Sequence, residues 1–167
     1  MAFDSFRLKQ LMESRGLTLA VAESLTSGRI QASVGAASGA SHYFLGGITV
    51  YTLDQKVAHL HIDRQHAAQV DCVSERVAIE MSKGVAELFG SDYSVSSTGY
   101  AEEYPAAHVS EPFAHVAIWM RTGGAGKVIH SERIDGVGLS RTEMQQHVAE
   151  SVLARLQEHF EREAHLR

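Results

Sequence analysis

Apolar residues recur along this chain at two spacings, one helical and one alternating, and the two take turns. Leu8, Leu11 and Met12 fall on one face of a helix over 4–15, with Asp4 or Ser5 as its cap and Gly16 at its end. The run "TLAVA" (18–22) then reads as a strand. A second helix is expected from near Thr26, with Ile30 and Val34 on its inner face, fading in the small-residue stretch "GAASGAS". "GGITVYT" (46–52) is β-branched and alternating, so a second strand is expected there, followed by a short helix over "DQKVAHL".

The strongest helical signal comes next. Ser74 is a cap, and Val77, Met81, Val85 and Leu88 form a stripe. "YSVSSTG" (93–99) predicts a third strand, and residues 100–112 a loop. "FAHVAIWM" and "KVIHSERI" bracket the glycine-rich "RTGGAGK" and predict a β-hairpin. A last helix is expected from Ser140, with Met144, Val148, Val152, Leu156 and Phe160 near helical spacing. Strands alternate with helices early and a hairpin comes late. That order predicts a three-layer α/β/α sandwich around a mixed, partly parallel sheet. No linker, repeat or low-complexity segment interrupts it, so one domain over 1–167 is expected.

Composition narrows the partners. The 167 residues carry a formal net charge of −5 and no run of lysine or arginine, which argues against a nucleic-acid partner. No apolar run reaches the roughly 20 residues that span a bilayer, and the first ten residues lack a signal-peptide core. No membrane partner and a cytoplasmic location are therefore expected. The single cysteine, Cys72, rules out an intramolecular disulfide. Ten histidines are scattered without ligand-like spacing, so they are read as surface residues; no metal site is expected.

In a parallel sheet, ligands gather beyond the carboxyl ends of the strands. Three such ends carry suggestive residues: "AESLTSG", "YTLDQK" and "SSTGYAEEYP". Ser24 reads either as a nucleophile or as a helix cap. A nucleophilic serine needs a base, and Lys56 serves if burial keeps it neutral; otherwise it is a solvated helix lysine. Tyr51 is placed to stack on a flat ring or simply to pack. Thr98 and Gly99 either offer a hydroxyl and an open backbone N–H or form a plain turn. "SRTE" (140–143) reads as a capping box, which puts Arg141 at the first helical position. A cation is disfavoured there unless an anion sits between it and the free N–H groups, so Arg141 hints at a bound phosphate or carboxylate.

Five pieces in order, "AESLTSGRI", "YFLGGITVY" with Lys56 five residues after its tyrosine, "VSERVAIEMSKG", "SSTG" and "SRTEMQQHV", resemble the C-terminal domain of CinA, the competence/damage-inducible protein. Stand-alone members of that family include nicotinamide-nucleotide amidases, the PncC group. The resemblance implies an α/β/α fold, a homodimer, no cofactor, and hydrolysis of nicotinamide mononucleotide to nicotinate mononucleotide and ammonia in pyridine-nucleotide salvage. By position, it implies Ser24 as nucleophile, Lys56 as base, and Tyr51 as a residue that places the ring or moves a proton. It also implies substrate contacts from Thr98 and Gly99, with Arg141 near the phosphate. Backbone N–H groups of Thr26 to Gly28 would stabilise the oxyanion.

The family pattern is broken at three places. Leu25 and Ser27 stand where a cysteine and a glycine are usual, Asp71 and Cys72 replace small residues, and Glu102 and Glu103 stand in a loop usually rich in glycine. Two classes of function therefore follow from the sequence: an active amidohydrolase on a small nucleotide, or a paralogue without amidase activity that binds a ligand or a partner.

Overall fold

The computed structural model describes residues 2–165, and Met1, Leu166 and Arg167 of the expected domain lie outside them. Helix α1 (Ser5–Glu13) starts where the Asp4 carboxylate accepts the N–H groups of Phe6 and Arg7. Strand β1 (Leu19–Glu23) is buried along its whole length. Helix α2 (Arg29–Gly35) begins three residues after the expected start, because residues 24–28 turn before the helix takes hold. Strand β2 spans Phe44–Thr49, earlier than the alternation suggested, since Thr52 already caps helix α3 (Leu53–Leu60) by accepting the Gln55 N–H.

Helix α4 (Arg64–Gln69) falls between the short helix and the helix capped by Ser74, where the sequence predicts no element. Asp63 caps it through the N–H groups of Gln65 and His66, but it has six residues and buries only Ala67, too little for a periodic signal. Helix α5 (Glu75–Phe89) is capped by Ser74 as expected. Leu88 is not on its buried stripe, however: it is 52% exposed. Phe89, four residues after Val85, turns inward in its place. Strands β3 (Tyr93–Tyr100), β4 (Phe113–Thr122) and β5 (Ala125–Asp135), and helix α6 (Arg141–His165), complete the chain. The hairpin strands run further than expected, meeting at a tight turn in which Gly123 and Gly124 both have positive φ (43° and 92°).

The sheet order is β2-β1-β3-β4-β5. Strand β1 runs parallel to β2 and β3, while β4 and β5 are antiparallel additions. Two apolar clusters cover its faces, giving the three layers. Leu19, Val21 and Val95 pack with α1, α2 and α6, while Ala20 and Ala22 face Val77, Met81 and Val85 of α5. On that second face β3 presents small hydroxyl residues, and α5 comes close. Ser94 donates to the Ser82 carbonyl and Ser96 to the Ala78 carbonyl, both at 2.6 Å. Gly84 lets α3 in as well, since a Cβ there would overlap the Leu60 carbonyl oxygen. The carboxyl ends of β1, β2 and β3 lie at one edge of the sheet, and α3 is held beside them.

Candidate active site

Ser24 follows directly on β1, and the residue before it decides its geometry. Glu23 is fully buried and turns its carboxylate onto the start of α2. One oxygen accepts the N–H groups of Gly28 and Ile30 at 3.0 and 3.1 Å, and the other accepts that of Gln31 at 2.9 Å. A carboxylate at a helix N-terminus satisfies orphan donors and meets the positive end of the dipole. The cap that α2 needs is therefore Glu23, and Ser24 is not a cap.

The Ser24 hydroxyl faces α3. Lys56 lies 2.9 Å away, its Nζ donating to Ser24 Oγ and, also at 2.9 Å, to the carbonyl of Val50. Lys56 is 1% exposed, so it is not a solvated helix lysine. Burial pushes its pKa below the ordinary lysine value, against the opposing pull of nearby Cys72 and Asp71. Val50, the acceptor, is anchored in turn by donating its N–H to the Glu23 carbonyl at 2.9 Å. Glu23 thus fixes both the serine loop and the carbonyl that orients the lysine.

These two residues sit in the floor of a cleft of about 470 Å³, within the range of small-molecule sites. Ser24, Tyr51, Lys56, Thr98, Gly99 and Arg141 all line it. Thr98 and Gly99 belong to the end of β3 rather than to a turn. The Thr98 hydroxyl donates to the Cys72 carbonyl at 2.7 Å. Gly99 is required by β4, because a Cβ would overlap the Phe113 carbonyl oxygen. Tyr51 lies two residues beyond β2, half exposed, and accepts from Arg141 Nη2 at 2.9 Å.

The structure does not bring Thr26 and Gly28 to the cleft. Thr26 is buried, its hydroxyl bonded to Ser97 Oγ at 2.7 Å behind the loop. The Gly28 N–H is engaged by Glu23, and that of Ser27 donates to the Ser24 carbonyl at 3.1 Å. Two of the three N–H groups expected to face an oxyanion therefore hold the loop together instead.

The residues that break the family pattern have structural consequences. Ser27, Asp71 and Cys72 all take left-handed backbone, with φ of 50°, 50° and 60°. Asp71 accepts the Tyr100 hydroxyl at 2.9 Å; burial and that carboxylate push the Tyr100 pKa up to about 12. Burial also raises the Cys72 pKa, which keeps its thiol protonated and a poor nucleophile. Glu102, in the loop after β3, accepts from Arg141 Nη1 at 2.6 Å. Arg141 does start α6, and the anion beside it is this side chain. At the same corner the Glu143 carboxylate accepts from both the N–H and the hydroxyl of Ser140. Four of the histidines, His66, His115, His130 and His159, are half-buried rather than on the surface.

Glu23, Val50 and Glu102 were the parts that sequence reasoning did not assign. A carboxylate ending a strand six residues before the first residue of a helix is a readable cap signal. A backbone carbonyl carries none.

Comparison with known proteins gives a consistent picture. The family model for the CinA C-terminal domain matches residues 5–160. A CinA-like protein of Citrifermentans bemidjiense is 42% identical over 95 residues, which is 57% of this chain and 23% of that protein. A CinA-like protein of Desulfotalea psychrophila is 41% identical over 92 residues, 55% of this chain and 22% of that one. The chain thus spans under a quarter of the length of these relatives. Among solved structures, a CinA superfamily protein from Klebsiella pneumoniae superposes with a TM-score of 0.83 at 23% identity, covering 95% of this chain and 96% of its own. One from Escherichia coli gives 0.81 at 24% identity, covering 91% and 86%. At such identities the likeness speaks for the fold.

Proposed function

This chain belongs to the CinA C-terminal domain family, and from that premise we propose that it is a serine–lysine amidohydrolase of the nicotinamide-nucleotide amidase type. One observation carries the reading: a buried lysine with a lowered pKa stands 2.9 Å from a serine hydroxyl in the floor of a cleft. A lysine placed there costs desolvation, and a neutral amine beside a hydroxyl is what activates a serine lacking a histidine.

The chemistry runs through those two groups. Neutral Lys56 donates one N–H to the Val50 carbonyl, which turns its lone pair toward Ser24. As Ser24 Oγ bonds to the carboxamide carbon, its proton passes to Lys56 Nζ. The ammonium so formed is a positive charge close to the developing oxyanion. Lys56 then gives the proton to the amide nitrogen, the C–N bond breaks and ammonia leaves. Water attacks the remaining ester, Lys56 takes its proton and returns one to Ser24 Oγ, and the carboxylate product is released. Tyr51 and Thr98 border the position that the amide would occupy.

Ammonia release from nicotinamide mononucleotide and from its phosphate-free nucleoside, nicotinamide riboside, tests the proposal, with Ser24→Ala as control. Activity above the control on either compound is the expected result. Ammonia at the control level for both would sink the hydrolase reading. It would leave the second reading, a ligand-binding paralogue, which is favoured by the engagement of Arg141 by Glu102 and of the Ser27 and Gly28 N–H groups within the loop.

A further inference from the structure

The rim of the cleft carries charge that the hydrolysis itself does not use. Arg141 holds Glu102 on one guanidinium nitrogen and the Tyr51 hydroxyl on another, at 2.6 and 2.9 Å. So paired, it presents no uncompensated positive charge to an incoming phosphate. Glu103 and Asp71 line the same cleft and add two further carboxylates. Lys56, the other basic side chain of the cleft, lies deep and is committed to Ser24 and Val50. A phosphate ester would have to displace Glu102 from Arg141 and then share the cleft with three carboxylates, Glu102, Glu103 and Asp71.

Aromatic surface accompanies those carboxylates. Tyr51, Tyr100 and Tyr104 all line the cleft, and Tyr51 and Tyr104 are 52% and 46% exposed. Tyr100 and Tyr104 stack at 5.7 Å with their planes 23° apart, forming an aromatic wall where β3 runs into the loop that carries Glu102. Carboxylates beside tyrosine faces attract a flat, delocalised cation. Resting on the amidase reading, we propose that this site selects a cationic pyridinium carboxamide that bears no phosphate, a nucleoside rather than a nucleotide, and that Glu102 is the residue that sets the preference. The pyridinium ring carries the positive charge in both compounds, and only the nucleotide adds a dianionic group.

Two measurements test this. The first is kcat/KM for nicotinamide riboside and nicotinamide mononucleotide, by ammonia release, in the wild type and in Glu102→Gln. The second is the calorimetric Kd of both compounds on Ser24→Ala. The wild type is expected to favour the nucleoside by about tenfold or more, the scale of one partly screened charge contact. Glu102→Gln, which frees Arg141 while leaving an exposed side chain of the same size, is expected to shift that ratio about tenfold toward the nucleotide. A wild type that prefers the nucleotide, or a ratio that Glu102→Gln leaves unchanged, overturns the proposal while the amidase reading stands. If neither compound is hydrolysed, the amidase reading falls and the Kd values decide. Tighter binding of the nucleoside upholds the charge selection; equal or reversed affinities, or no binding of either, overturn it.

Discussion

Replacing Glu23 by glutamine tests the loop's construction more sharply than any change to the reacting groups. The carboxylate accepts three backbone N–H groups between 2.9 and 3.1 Å and has no exposed surface. An amide has one oxygen. Placed where Oε2 now accepts two N–H groups, it leaves an NH2 pointing at the Gln31 N–H, donor against donor. One charge-assisted bond worth about 1.5–3 kcal/mol is lost, and the other two fall to neutral strength. The dipole attraction at the start of α2, about 0.3–1 kcal/mol and up to roughly 2 when buried, also disappears. Relief of the buried charge offsets part of this, so the net loss is about 2–4 kcal/mol. For a chain of this size that lowers Tm by roughly 5–15 °C. Thermal and urea unfolding measure it directly. Because the Glu23 carboxylate pins the loop that follows Ser24, the variant is expected to lower kcat for amide hydrolysis more than it changes KM. A Tm within about 1 °C of the wild type would refute the claim that this carboxylate, rather than the packing of α2, fixes the loop.

Three further outcomes follow from the same geometry. Lys56 has a lowered folded pKa, so its protonated form is penalised in the folded state. Stability should be lowest below that pKa, rise with pH through the window from it up to the ordinary lysine value, and flatten above. Lys56→Met should remove that slope in unfolding measurements, and hydrolysis by the wild type should rise with pH with an inflection below the free-lysine value; a wild-type rate flat across that window contradicts neutral Lys56 as base. Ser27→Gly relieves a left-handed residue at φ 50° and should stabilise the chain by about 0.5–1 kcal/mol after the entropy of the added glycine is counted, read as a rise in the urea midpoint. Gly84→Ala drives a Cβ into the Leu60 carbonyl, so it should cost about 1–3 kcal/mol and, by pushing α3 off α5, weaken hydrolysis in proportion more than the exposed Leu88→Ala does.

Much of the architecture was legible in the sequence because it rests on local pattern. The alternation at 46–52, the glycine pair at the hairpin tip and the stripe from Val77 to Val85 each point to one element type. The misses are places where the decisive contact is distant or small. Helix α4 has six residues and one buried side chain, so no window of sequence carries its period. The start of α2 moved because its cap comes from Glu23, six residues before Arg29, and not from the hydroxyls beside it. Lys56 follows Asp54 and Gln55, a neighbourhood that reads as solvated, yet it folds inward onto Ser24 and the Val50 carbonyl and is left 1% exposed. Arg141 at the first turn of α6 suggests an anion from sequence alone, and the folded chain supplies Glu102, 39 residues away, beside it.

The two parts of the cleft are held by different forces. Ser24 and Lys56 are tied to backbone: the Val50 carbonyl, the Glu23 cap and the start of α2. Changing any of these leaves a buried donor, acceptor or charge without a partner, at a cost of about 1–3 kcal/mol or more. The rim is held by side chains at the surface. The Glu102–Arg141 pair is half exposed on both sides, so its contribution to stability is about 0–1 kcal/mol, and gaining or losing it scarcely disturbs the fold. Its effect on a charged ligand is larger, because the ligand meets the pair inside a cleft that also holds Glu103 and Asp71. On the proposed amidase reading, substitution at the rim is expected to change which amide is admitted at almost no structural cost, while substitution at the floor is expected to abolish hydrolysis of any of them.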